Sequence, residues 1–186
     1  MVIVLGIVGR IGSGKDVATK YLIENYGFKE VHMGNLVREE LRSAGLEESR
    51  ENLQKFAKEK TDKFGMDYWA KKVVSKIKEC LATNSRFVIN GIRRSFEVEV
   101  PKKEFGRSFK LLLIEADPKI RLERLKVRGR PGDPKNFKAF LEQERNELKL
   151  YDFEKIEKEA DFIIKNEADL EAFYQSLDKL INTLIT

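Results

Sequence analysis

Gly9-Arg10-Ile11-Gly12-Ser13-Gly14-Lys15-Asp16 is the stretch on which the fold turns. It follows an unbroken apolar run, Val2-Ile3-Val4-Leu5-Gly6-Ile7-Val8, and leads into a helical pattern from Val17-Ala18 to Tyr21-Leu22. Strand, glycine-rich turn and helix, in that order, are the context in which G-x-x-x-x-G-K forms a phosphate cradle. The glycines let backbone N–H groups point at phosphate oxygens, and the helix N-terminus adds partial positive charge. Lys15 supplies the full charge that reaches the outer phosphates. One residue departs from the pattern: Asp16 stands where the motif has Ser or Thr.

The rest of the composition bounds what surrounds this cradle. With 186 residues, 41% of them hydrophobic, the chain suits one domain with a single sizeable core. A charged fraction of 36% with only Gln54, Gln143 and Gln175 as glutamines leans toward a thermophile composition. The net charge of +5 suits either nucleic acid or a pocket that collects several phosphates. Basic residues are interleaved with Glu and Asp rather than massed in a tail, which favours the pocket and leaves nucleic acid the weaker partner. Cys80 is the single cysteine, so a disulfide or a cysteine-based zinc site within the chain is excluded. The N-terminal apolar run reads as a buried strand rather than a secretory leader, and no stretch nears the ~20 apolar residues of a membrane span. The expectation is a reduced, cytoplasmic protein without a membrane partner.

Downstream, Lys29-Glu30-Val31-His32-Met33 reads as a second strand, and Gly34-Asn35 opens a helix through Arg42. Helical patterns from Ser49 to Phe64 and from Tyr68 to Ala82 follow, so helices are inserted before the sheet resumes. Arg86 to Gly91 is the third strand, ending in Asn90-Gly91 with Arg93-Arg94 close behind. Phe96 to Glu104 reads as a helix or an irregular turn. Phe109 to Ala116 is a fourth strand, apolar at its centre as buried parallel strands are. Pro118 opens a helix carrying Arg121, Arg124 and Arg128 at spacings that share one face. Gly129 to Pro134 breaks that helix, and Phe137 to Leu148 is helical again. Ala160 to Ile164 is the fifth strand, ending at Lys165-Asn166. Leu170, Phe173, Leu177, Leu180, Ile181 and Leu184 then form one helical stripe. Alternating strands and helices predict an α/β fold with a parallel sheet and ligands at the carboxyl ends of its strands.

The cradle, Met33-Gly34-Asn35-Leu36-Val37-Arg38, Asn90-Gly91-Ile92-Arg93-Arg94, the arginine-bearing helix and Lys165-Asn166 together resemble the nucleoside monophosphate kinases. More narrowly, they are similar to the archaeal adenylate-kinase-related proteins. The resemblance implies a P-loop NTPase-type three-layer fold with a five-stranded parallel sheet and helices on both faces. It also implies one kinase domain with an inserted helical acceptor region at 35–83 and a short lid at 124–146. By the resemblance, residues 9–17 (Gly9, Arg10, Ile11, Gly12, Ser13, Gly14, Lys15, Asp16 and Val17) bind ATP. Arg124 packs on adenine, Arg128 reaches the transferring phosphates, and Asn166 lies near the adenine edge. Gly34, Asn35, Arg38 and Gly91 bind the acceptor with Arg93 or Arg94; adenylate kinases align Arg94 on the acceptor phosphate, the archaeal relatives Arg93, and Arg93 is preferred.

The implied activity is transfer of the γ-phosphate of Mg-ATP to AMP or a similar monophosphate, with Lys15, Arg93, Arg124 and Arg128 catalytic. Two alternatives remain open. One is dephospho-coenzyme A kinase, which carries an acid at the end of its second strand, where this chain has His32-Met33-Gly34-Asn35. The other is an ATP-binding switch, or a ribosome- or nucleic-acid-associated factor. Two departures bear on the metal: Asp16 replaces the magnesium-binding hydroxyl, and Asn90 replaces the acid that ends the third core strand. Together they conserve one carboxylate near Mg2+, held by Asp16 directly or through water, with Asn90 keeping the water shell in place. On this reading Asn90→Asp is tolerated. His32, without a second histidine, is not expected to bind metal.

Overall fold

The computed structural model describes residues 1–185. Five parallel strands, β1 (Ile3–Val8), β2 (Lys29–His32), β3 (Arg86–Asn90), β4 (Phe109–Glu115) and β5 (Phe162–Lys165), lie in the order β2-β3-β1-β4-β5. The central position of β1 accounts for its continuous apolar run, because all six of its residues are buried. Ile3, Leu5 and Ile7 join Val88, Leu112 and Ile114 beneath α1 (Lys15–Tyr26) and α9 (Leu170–Ile185). On the opposite face Val4 and Val8 join Phe87, Ile89, Leu111 and Leu113. That face is covered by α2 (Met33–Ser43), α4 (Tyr68–Cys80) and α5 (Phe96–Phe105), with α3 (Arg50–Phe64) outside them through Phe56. The α/β architecture with helices on both faces is therefore as expected. No helix among the described residues is long and apolar enough to cross a membrane.

Three details differ from the sequence-based expectation. β2 stops at His32, and Met33 already belongs to α2, because the His32 ring takes over the helix end: Nδ1 accepts the Gly34 N–H at 3.0 Å. β5 runs from Phe162 to Lys165 rather than from Ala160. Asp161 leads the chain in, its carboxylate and N–H both bound to the Leu111 backbone at 2.8 and 2.9 Å. A six-residue helix, α8 (Phe153–Lys158), was not anticipated; it is too short to show a period, yet it buries Phe153 and Ile156.

α6 (Pro118–Arg128) and α7 (Phe137–Leu150) form an antiparallel pair over the carboxyl end of the sheet, joined through Leu122, Leu125 and Phe140 with Ile11 against them. The three α6 arginines share a face but not a role. Arg121 is 3% exposed and donates to Glu144 at 2.7 Å, to the Ile11 carbonyl at 3.2 Å and to the Ala116 carbonyl at 3.0 Å. Its guanidinium also lies 4.9 Å from the centre of the Phe140 ring. A buried guanidinium this fully bonded is structural, and removing its counter-charge leaves an uncompensated ion. Glu144→Ala is expected to cost about 3–5 kcal/mol in urea unfolding, and Arg121→Met with Glu144→Leu clearly less.

Candidate active site

The loop from Gly9 to Gly14 is held from three sides. Asn166 is 6% exposed and donates from Nδ2 to the Ser13 carbonyl at 2.8 Å. Arg121 binds the Ile11 carbonyl, and Lys15 Nζ binds the carbonyls of Gly9 and Arg10, the latter at 3.1 Å. A Cβ at Gly9 would collide with the Ile114 carbonyl, and one at Gly14 with the Asn166 amide. Both glycines also have positive φ, 150° and 109°, so only glycine permits this close approach. Ser13 is 1% exposed and its hydroxyl has no partner. Burial pushes Lys15 down to about 8, against the opposing pull of Asp16 and Glu147.

The expected ATP-site residues fall into two groups. Arg124 donates to Asn166 Oδ1 at 3.1 Å, with Nη1 buried and unpartnered. Its burial lowers its pKa. Asn166 is occupied on both sides, by Ser13 and by Arg124, so it acts on the cradle through its backbone contact. Arg10 points away from the cradle and pairs in two-pronged fashion with Glu157 of α8, at 3.0 and 3.2 Å. Arg128 is held by Asp133 of the loop that follows α6, with Nε–Oδ2 at 2.9 Å. Val17 is 40% exposed on the first turn of α1.

Of the residues expected to bind an acceptor, Gly34 and Asn35 form the first turn of α2, and Arg38 rests on Asn35 Oδ1 and Glu48 Oε1, each at 3.1 Å. The turn after β3 is clamped. Glu97 Oε2 accepts the backbone N–H of Arg93 at 2.6 Å and of Arg94 at 3.0 Å. Asp152 accepts from Ser95 N at 3.1 Å. Burial raises the Glu97 carboxyl against those N–H bonds, which lower it. Arg93 donates to the Tyr151 hydroxyl at 2.9 Å, and Arg93 and Arg94 lie 5.1 and 5.5 Å from its ring centre. Arg38 and Arg93 both act on His32, and Arg93 acts on Lys15 as well. A Cβ at Gly34 would meet both Arg38 Nη1 and the His32 ring, and one at Gly91, two residues before Arg93, would meet the same ring, so both arginines follow the carboxyl ends of β2 and β3.

Asp16 and Asn90 also meet: Asn90 Nδ2 lies 3.5 Å from Asp16 Oδ1. The same nitrogen donates to Glu30 Oε1 at 3.0 Å, while Asn90 Oδ1 accepts from Gly91 N at 2.8 Å. Glu30 was missed, although period two along β2 places it on the face of His32, opposite buried Val31. It corrects two expectations. The second strand does present a carboxylate to this cleft, two residues before its end. Asn90→Asp would place a third carboxylate against the two that Asn90 now bridges, so it is not a neutral exchange. His32 was seen only as a lone residue; it is the cap of α2, and burial lowers its pKa. Glu97, Tyr151 and Asp152 carried no local signal, since they act on the Arg93 turn from a distance in sequence.

A parallel sheet of this order with a cradle after β1 defines a P-loop kinase-like protein. A family model described as the AAA domain matches residues 8–140. A UPF0200 protein of Thermoplasma volcanium is 35% identical over 175 residues, covering 94% of each chain. A UPF0200/UPF0201 protein of Archaeoglobus fulgidus is 37% identical over 178 residues, covering 96% of this chain and 54% of the relative. The chain thus spans about half the length of that second relative. It belongs to the AAA domain family and to the UPF0200 group of proteins. Among solved structures, a Thermus thermophilus protein has a TM-score of 0.61 at 18% identity, covering 98% of both chains. Shikimate kinase from Bacteroides thetaiotaomicron has a TM-score of 0.60 at 12% identity, covering 99% of both. At these identities the two structures show a shared fold and nothing finer.

The lowered pKa of Lys15 gives a pH signature with a definite sign. Anionic phosphates favour the ammonium form, so the bound state has the higher pKa and binding above pH 8 requires proton uptake. Nucleotide affinity is expected to be full below about pH 8 and to fall above it by as much as tenfold per pH unit. Titration calorimetry with ADP between pH 7 and pH 10 tests this. Lys15→Arg should flatten the profile, because a guanidinium does not titrate there.

Proposed function

We propose that this protein transfers the γ-phosphoryl group of ATP to a small acceptor that already carries a phosphate, of the nucleoside monophosphate class. The observation that carries this reading is that Arg38 and Arg93 follow the ends of the adjoining strands β2 and β3, beside the phosphate cradle, with the charges of both acting on His32. Two guanidiniums at adjoining strand ends, beside a phosphate cradle, suit an acceptor phosphate with more than one charge. AMP or a deoxynucleotide fits this description.

Phosphoryl transfer asks for alignment and for positive charge around the moving group, with little covalent chemistry from the protein. The cradle amides and Lys15 hold the donor phosphates. Arg124, whose buried Nη1 has no partner, packs against the adenine of the donor. Arg38 and Arg93 hold the acceptor phosphate in line, and the Glu97 and Tyr151 contacts fix the Arg93 turn. Arg128 joins the transferring group once it leaves Asp133. An anionic acceptor oxygen needs no general base.

The donor set of the cleft fits Mg2+. Among the described residues no three His, Cys, Asp or Glu side chains form a cage. Mg2+ needs only one or two carboxylates, with waters and substrate phosphates completing its shell. Asp16 is the residue that would hold it, and the ion would supply positive charge against the donor phosphates.

Glu30 favours a second reading, a hydroxyl acceptor such as dephospho-coenzyme A, for which a carboxylate serves as base. Product analysis with Mg-ATP and AMP, CMP, deoxynucleotides or dephospho-coenzyme A separates the two. A monophosphate-dependent release of ADP is the expected result. Arg93→Ala should then raise the acceptor KM at least about tenfold, the worth of a charge-assisted hydrogen bond, with little change in the KM for ATP. Slow hydrolysis indifferent to every acceptor would sink this reading and favour an ATP-dependent switch.

A further inference from the structure

An arginine in a phosphate loop carries the charge to bind phosphate, yet Arg10 is turned outward. Its side chain makes the two-pronged pair with Glu157 of α8, and both partners are partly buried. Its carbonyl stays within the loop, where it accepts the Ser13 N–H and Lys15 Nζ, each at 3.1 Å. Glu157 therefore acts on the stretch of backbone that seats Lys15.

The other end of the same segment grips the Arg93 turn. Asp152 is the N-cap residue of α8, a position where an aspartate ordinarily bonds an N–H of its own helix. Here it makes no such bond. Its carboxylate instead accepts Ser95 N at 3.1 Å and Ser95 Oγ at 3.3 Å, and its N–H donates to the Arg93 carbonyl at 3.3 Å. Tyr151 adds its hydroxyl to Arg93 and packs edge-on against Phe153, with ring centres 5.7 Å apart. Phe153 and Ile156 are buried between the two ends. Helical rise separates Asp152 from Glu157 by about 7–8 Å. A segment that only packed would need its apolar pair and its own cap; this one forgoes the cap and reaches both ways.

We infer that residues 151–157 are a strut that sets the separation of the two phosphate sites, with Asp152 and Glu157 as its positioning residues. Glu157 fixes the cradle backbone through Arg10, and Asp152 fixes the Arg93 turn through Ser95. The short helix between them holds Lys15 and Arg93 at one spacing. In-line transfer depends on that spacing, because a misplacement of about 1 Å can cost roughly a hundredfold in rate. The strut rests on the phosphotransferase reading for what the Arg93 site holds.

Adenosine 5′-di-, tri-, tetra- and pentaphosphate, titrated calorimetrically with Mg2+ present, measure the spacing without any acceptor. The cradle holds the shorter chains, and a longer one carries its end phosphates to Arg93. The parent is expected to gain about tenfold or more in affinity at one chain length, the worth of a charge-assisted hydrogen bond, and Arg93→Ala to lose that gain. Glu157→Gln and Asp152→Ala should each keep ADP affinity, because Arg121 and Asn166 still hold the loop, yet lose most of the gain. With a monophosphate acceptor both should lower kcat by about tenfold or more, with little change in either KM. Lys155→Ala removes only an exposed pair with Glu99 in the same segment and should match the parent throughout. A gain that survives in both carboxylate variants would overturn the strut and leave the acceptor site standing. Loss of ADP affinity in step with the gain would overturn it too, as a general loosening of the loop. A parent with no gain at any length would defeat the phosphotransferase reading itself, and the strut with it.

Discussion

A buried guanidinium holds the working end of this molecule together. Arg121 binds a carboxylate from α7, a carbonyl from the phosphate loop and a carbonyl at the end of β4, all from a side chain that is 3% exposed. Each partner comes from a different part of the chain, so the ion cannot be satisfied unless all three are in place. A charge that would cost several kcal/mol unpaired thus enforces one geometry on the loop, the α6–α7 pair and the sheet. Asn166 does the same from the other flank, linking the loop to β5 and to Arg124. The cradle is rigid because its carbonyls, not only its glycines, are accounted for.

That rigidity contrasts with the side proposed here for the acceptor. Arg38 and Arg93 are each tethered by a partner that a phosphate would displace, Glu48 in one case and the Tyr151 hydroxyl in the other. Arg128 is tethered likewise by Asp133. The backbone that carries Arg93 is nonetheless fixed by Glu97 and Asp152. Fixed backbone with a movable guanidinium suits a site that must admit a ligand and then close charge around it, since little backbone entropy is lost on binding.

The sheet edge explains why acidic and basic residues separate in this site. α1 and α9 cover β1, β3 and β4, which keep apolar residues beneath them, whereas the edge strand β2 meets α1 across an open cleft. Polar side chains are tolerated there at little cost, because water reaches them. Glu30 and His32 occupy that strip on the α1 face, while Arg38 and Arg93 approach His32 from the elements that leave the strand ends. Glu30 thus stands with Asp16 at the Asn90 amide, while Arg38 and Arg93 follow the strand ends.

The sequence alone determined the strand-loop-helix cradle, the parallel sheet and the order of its elements. These features are local: an apolar run of six, glycines at set spacing and helical stripes report on residues near one another in the chain. Val4 and Leu5 announce a strand buried on both faces without reference to anything distant. The tertiary structure alone decided which arginine is structural. Arg121, Arg124 and Arg128 are equivalent by helical period, and only contacts with Glu144, Asn166 and Asp133 tell them apart. It also decided where the carboxylates stand. Asp16, Glu30 and Asn90 lie in three separate elements, and hydrogen bonds through one amide nitrogen join them only once β2 pairs with β3 beneath α1. Periodicity reports which face a residue takes on its own element. Which groups share that space is set by packing, because charge and hydrogen bonding act across space rather than along the chain.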